Sequence, residues 1–144
     1  MLGMEVMSEA MYPLRDSQVF KDLILTVGTQ WYLGILLGLG ITMLVQSSSA
    51  TTGLLVALTS TGGISIQAAF PLILGANIGT CITALLSSIT ANKMAKKAAV
   101  IHLLFNIMGA VLFLPLGKYL INLVTFLAPE SIKLQISFIH LIFN

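Results

Sequence analysis

The chain has 144 residues, 57% of them hydrophobic and 8% charged, with a mean hydropathy of +1.00; soluble domains carry about a quarter charged residues. A water-soluble globular domain is nearly excluded. The net charge of +2 comes from seven basic and five acidic residues with no basic cluster for a phosphate backbone, so nucleic acid is not expected as a partner. One cysteine, Cys81, and two histidines fall short of a structural metal site, and no cofactor, resident metal or catalytic group is expected.

Residues 1 to 11 read as the end of a helix closed by Pro13, and residues 16 to 28 as a short interfacial helix with Arg15, Asp16, Lys21 and Asp22 near its start. Glu5 and Glu9 stand where a signal peptide needs positive charge. Residues 23 to 92 then contain no Asp, Glu, Lys, Arg or His, although one spanning helix needs only about 20 apolar residues. The chain is an all-α polytopic membrane protein.

Trp31 and Tyr32 make an aromatic anchor before the apolar stretch Leu33 to Val45. That stretch runs into Gln46-Ser47-Ser48-Ser49-Ala50-Thr51-Thr52, polar at every position but one, and resumes at Gly53 to Leu58. The expected break lies at membrane depth. After the turn-like residues 59 to 63, Ile66 to Leu74 and Cys81 to Ile89 flank a second polar block, Gly75-Ala76-Asn77-Ile78-Gly79-Thr80. Each mid-helix glycine costs about 1 kcal/mol relative to alanine, so the backbone is expected to unwind here too. Irregular backbone in a bilayer must be buried in protein or line a hydrated cavity. Re-entrant or discontinuous helices around a shared cavity follow.

Lys93, Lys96 and Lys97 mark a loop from Asn92 to Lys97 that the positive-inside rule places in the cytoplasm. Ala98 to Leu116 is the next span, and Lys118, Pro129, Glu130 and Lys133 belong to the connection that follows. The last helix, 131 to 144, is about 21 Å long, short of a hydrocarbon core of about 30 Å. The chain therefore reads as a single transmembrane domain over 1 to 144, cut at both ends, with its last helix incomplete. Residues Ile101 to Asn106 recur as Ile139 to Asn144 with one conservative change, and in both copies His and Asn share a helix face. His102 and His140 read as members of an interhelical hydrogen-bonding seam rather than a proton relay.

An isolated membrane Ser or Thr usually serves packing. A block with Gln, three Ser and two Thr points instead to a ligand site, and Gly75 to Thr80 offers further hydroxyl and backbone groups. Freed carbonyls and hydroxyls suit a hard cation, and half-helix N-termini suit an anion. The charge-free run holds no cation of its own to balance an anion, which favours an anion bound together with a cation, although a neutral polar solute would not need one. A channel-like or structural subunit, with the polar blocks serving packing, is the alternative. An intramembrane hydrolase lacks support, since Ser47 to Ser49 sit in no G-x-S-x-G elbow.

The QSSS block at Gln46 to Ser49, the Asn77-Ile78-Gly79-Thr80 block, the Lys-rich stretch with Ala99 to Asn106, and the opening Gly3 to Ser8 together closely resemble the type II sodium-dependent phosphate cotransporters, particularly their bacterial branch. The resemblance covers essentially the whole chain. It implies sodium-coupled symport of inorganic phosphate by alternating access, in a multi-pass protein of the bacterial inner membrane. Members carry two inverted repeats, each with a QSSS motif. This chain has one, so its partner would be a second repeat or a second copy. The resemblance implies that Gln46, Ser47, Ser48 and Ser49 bind phosphate and sodium, with Thr51 and Thr52 as further oxygen ligands and Asn77 and Thr80 lining the same cavity. Sodium is then a coupling ion rather than a bound cofactor. Cys81 stands where many members have a hydroxyl.

Overall fold

A computed structural model describes Asp22, Val27, residues 30 to 60 and residues 64 to 143. Five helices run through them: α1 (Trp31–Val45), α2 (Ser48–Ser60), α3 (Ile66–Ser88), α4 (Lys93–Leu127) and α5 (Ile132–Phe143). No strand occurs among the described residues. The expectations for residues 1 to 28 lie outside them, apart from Asp22 and Val27, which are both helical.

Helix α3 is the centre of the bundle and packs against all four others. Its buried face includes an unbroken row from Ala68 to Gly79. Glycines set its fit to α1: a Cβ at Gly38 would fall on the Leu72 carbonyl, and one at Gly75 on the Ile35 carbonyl. Gly34 lies against Pro71, and Gly79 against Thr42 and the Leu39 carbonyl. Contacts that advance together along both helices make α1 and α3 parallel. Gly34 and Gly38 on α1, and Gly75 and Gly79 on α3, thus form two facing small-xxx-small surfaces, the arrangement that lets membrane helices approach closely.

This packing corrects the expected unwinding at Gly75 to Thr80, because α3 is one continuous helix of 23 residues. The propensity cost of two glycines is offset by the close helix contact they permit, and tertiary packing overrides local preference. Only the first expected break is present. Two parallel helices in succession require a return between them, and α2 supplies it, carrying the chain from the end of α1 back towards the start of α3.

Helix α4 runs antiparallel to α3: the Cys81 thiol points to the His102 carbonyl at 3.7 Å, and Gly117 accommodates the Phe70 ring. It is 35 residues long, longer than the expected span at both ends. Lys93, Lys96 and Lys97 form its first turns rather than a loop, and Lys118 lies within it. The cause at the start is Asn92, whose Oδ1 accepts the Ala95 N–H at 2.9 Å and caps the helix. Pro115 does not end it, consistent with the tolerance of proline in bilayer helices. Asn92→Ala is expected to cost about 1 kcal/mol of unfolding stability, with Asn92→Asp retaining it; helicity during detergent-induced unfolding measures both.

Helices α3 and α4 are long and apolar enough to cross a membrane. Most of the α4 surface is open, with Ile101, Phe105, Met108 and Val111 all exposed, as expected of a helix facing lipid or further protein. Helix α5 folds back along α4, its Phe143 ring edge-on to Phe113 at 5.2 Å between centroids. Its start is tied by Gln135 Nε2, which donates to the Ala128 carbonyl at 2.7 Å.

Candidate functional site

The break between α1 and α2 is built by two devices. Gln46 adopts φ 57°, ψ 25° and donates its N–H to the Thr42 carbonyl at 2.6 Å, closing α1 with a left-handed residue as helices often end. The Ser47 hydroxyl then accepts the Ala50 N–H at 3.2 Å and caps the start of α2. Gln46 is the one described non-glycine residue with positive φ.

Inside the break, Thr42 and Thr51 meet. Both are buried, and the Thr42 hydroxyl donates to Thr51 Oγ1 at 2.9 Å. Thr51 Oγ1 in turn donates to the Ser47 carbonyl at 3.1 Å. Two hydroxyls therefore converge where α1 ends, on a Ser47 carbonyl that also accepts the Thr51 backbone N–H at 3.1 Å. Thr52, the neighbouring buried residue, places its hydroxyl 3.3 Å from His140 Nδ1 on α5. His140 thus makes an interhelical contact, whereas Asn106 bonds within its own helix, donating from Nδ2 to the His102 carbonyl at 3.0 Å.

Asn77 occupies the midpoint of α3 and is 1% exposed, yet neither Nδ2 nor Oδ1 has a hydrogen-bond partner. An unsatisfied buried amide costs about 1–3 kcal/mol, and such exceptions call for an explanation. Its backbone carbonyl accepts the Thr80 hydroxyl at 2.6 Å. Thr42 lies against Gly79, about 3 Å along the axis from Asn77, but Gly79 belongs to the α3 face that packs on α1, and Asn77, two residues away, is turned about 200° from it. The residues singled out in the sequence fall into three sets: Thr51, Thr52 and Asn77 are buried, Ser47, Ser48 and Thr80 are partly buried, and Gln46 and Ser49 are exposed. Among the described residues no hydrogen bond joins the 46 to 52 segment directly to Asn77 or Thr80. Thr42 escaped the sequence reading, although its spacing of four from Gly38 puts it on the helix face that packs against α3.

Parallel packing also gives the depth of the break. With Gly34 at the level of Pro71 and Thr42 at that of Gly79, Gln46 lies level with Thr83, about 7 Å short of the C-terminal end of α3 at 1.5 Å per residue. The polar break therefore falls within the length of a membrane-crossing helix.

The described residues thus form an all-helical bundle with two helices long and apolar enough to cross a membrane and a polar break within their length. The chain belongs to the Na+/Pi-cotransporter family, whose model matches residues 1–128. It is 32% identical over 132 residues to the uncharacterized protein YqeW of Bacillus subtilis, covering 92% of this chain and 43% of that protein. It is 46% identical over 89 residues to the sodium-dependent phosphate transport protein 2B of Bos taurus, 59% of this chain and 13% of that protein. A similar match, 44% over 86 residues, joins it to the sodium-dependent phosphate transport protein 2C of Rattus norvegicus, with 57% of this chain and 14% of that protein covered. The chain spans less than half the length of these relatives. No solved structure matches it.

Proposed function

We propose that the chain forms one repeat of a sodium-coupled importer of inorganic phosphate, with its substrate site at the α1–α2 break. The observation that carries this reading is the orphaned, buried Asn77 carboxamide at the midpoint of α3, in a chain of the cotransporter family. Gln46, Ser47, Ser48 and Ser49, with Thr51 and Thr52, supply oxygen and amide groups to phosphate and sodium, and Asn77 and Thr80 line the cavity from α3. The α1–α2 pair is a re-entrant hairpin. Exposed Gln46 and Ser49 face a second, inverted repeat, since polar groups at membrane depth require protein or water around them. Alternating access comes from the two repeats rocking about the midplane site, with Lys93, Lys96 and Lys97 on the cytoplasmic side of the bacterial inner membrane.

Uptake of labelled phosphate into proteoliposomes under an inward sodium gradient, compared with an equal potassium gradient, tests this reading. Sodium-dependent accumulation above equilibrium is expected from the full-length gene product. Uptake that only equilibrates would favour the channel-like alternative. Asn77→Leu sharpens the test, because it removes the unsatisfied amide at similar volume. Its unfolding stability is expected to equal or exceed that of the native chain, and its sodium-coupled uptake to fall at least about tenfold, the effect of losing about 1.4 kcal/mol of ligand interaction. Unchanged uptake in a folded Asn77→Leu variant would remove Asn77 from the site.

A further inference from the structure

We infer that the cleft between α1, α3 and α4, on the side of the bundle away from the Lys93–Lys97 cluster, binds an anionic phospholipid, its phosphate on Lys118 and its chain against Phe70 and Leu114. This inference is independent of the transport reading.

The level of the cleft follows from α4. Lys97 and Lys118 bracket a stretch with no charge but His102, and their separation along the helix is about 32 Å, close to the hydrocarbon thickness of about 30 Å. Lys118 therefore sits at the membrane face opposite Lys97. Trp31 and Tyr32 belong to the same face, because Gly34 lies against Pro71 while neighbouring Phe70 lies against Gly117. Tryptophan and tyrosine collect at that depth.

Here the helices part around a cleft of about 510 Å³ whose lining includes Trp31, Phe70, Pro71, Leu114, Pro115 and Lys118. Its chemistry is divided by depth. Phe70, Pro71, Leu114 and Pro115 make an apolar wall on the membrane side, while towards the rim exposed Trp31, Gln67 and Lys118 add an indole N–H, an amide and an ammonium beside apolar Val27 and Ile121. A free phosphate ion would leave water for a largely apolar wall, at high cost. The cleft extends along α4 from Leu114 to Ile121, about 10 Å, roughly two turns and too short to seat a spanning helix. A headgroup with the first part of an acyl chain fits both that length and the division of polarity, and a basic group between helices selects an anionic headgroup.

Trp31 is the chain's single tryptophan and lines the cleft, so it reports occupancy directly. The full chain is reconstituted in phosphatidylcholine vesicles in which a minor fraction is brominated phosphatidylglycerol or, in parallel, brominated phosphatidylcholine. Quenching of Trp31 is expected to show about a fivefold preference for the anionic lipid, the gain from one lysine near a headgroup of roughly 1 kcal/mol. Lys118→Gln should abolish the preference, while Lys118→Arg and Lys133→Gln keep it; equal helicity and emission maxima establish that the variants are folded. Added inorganic phosphate should leave the quenching unchanged. Equal quenching by both lipids, quenching by neither, relief by free phosphate, or a preference that survives Lys118→Gln would each overturn the assignment.

Discussion

Replacing Gln46 with glycine is expected to leave the chain at least as stable as before and to abolish sodium-coupled phosphate uptake. Gln46 holds φ 57° at the end of α1, a conformation that costs an L-residue with a Cβ about 1–2 kcal/mol and glycine almost nothing. Glycine is also the residue that most often closes a helix in this way. The backbone alone would therefore be better served by a glycine at this position than by Gln46, and the hydrogen bond from its N–H to the Thr42 carbonyl survives the change. A gain of about 1 kcal/mol in unfolding stability follows. What is lost is a carboxamide at a polar break within the length of a membrane-crossing helix. A residue kept against its own backbone preference is a reasoned functional candidate. Gln46→Ala supplies the complementary case, losing the amide while retaining the strain. Uptake measured beside helicity in a detergent titration separates the two contributions, and normal uptake by a stable Gln46→Gly protein would take Gln46 out of the site. A large loss of stability would instead assign it a structural role.

Much of this arrangement can be read from residue types because membrane insertion imposes simple rules. The absence of charge from residue 23 to 92 dictates helices in lipid, and the crowding of polar residues from Gln46 to Thr52 dictates where one of them stops. The second polar block misleads for a physical reason. Gly75 and Gly79 weaken an isolated helix, but the same missing side chains let α1 approach α3, and local propensity carries no record of the neighbour. The four-residue spacing of Gly34 and Gly38, matched by Gly75 and Gly79, was the available signal. The lysine cluster misleads similarly: charge marks a membrane boundary, whereas the Asn92 cap determines that the helix continues through it. Thr42 and the Thr52–His140 contact depend on how α2 returns and where α5 docks, which no short-range pattern encodes.

Adding one methyl group at Gly75 is expected to be far more damaging than adding one at Gly40. A Cβ at Gly75 would coincide with the Ile35 carbonyl, whereas a Cβ at Gly40 meets nothing within 4 Å. Backbone cannot rotate away as a side chain can, so Gly75→Ala must force α1 and α3 apart. That sacrifices dispersion contacts along the whole seam and the short Cα–H to carbonyl approaches such pairs allow. Overpacking of this kind costs about 1–3 kcal/mol, and the rigid obstacle places Gly75→Ala near the upper end, about 3 kcal/mol. Gly40→Ala should instead gain up to about 1 kcal/mol from helix propensity. Gly38→Ala, which meets the Leu72 carbonyl, should resemble Gly75→Ala, and the double variant should cost less than the sum because the seam is already open. Were Gly75 a hinge that unwinds, its alanine variant would gain helicity and stability and lose only transport. Opposite signs for Gly75→Ala and Gly40→Ala in detergent-induced unfolding decide for the packed seam; matching gains would decide for the hinge. The seam also bears on the site itself, since Gly79 abuts Thr42 and Thr42 holds Thr51. Separating the helices must therefore disturb the hydroxyl pair at the break even in molecules that remain folded.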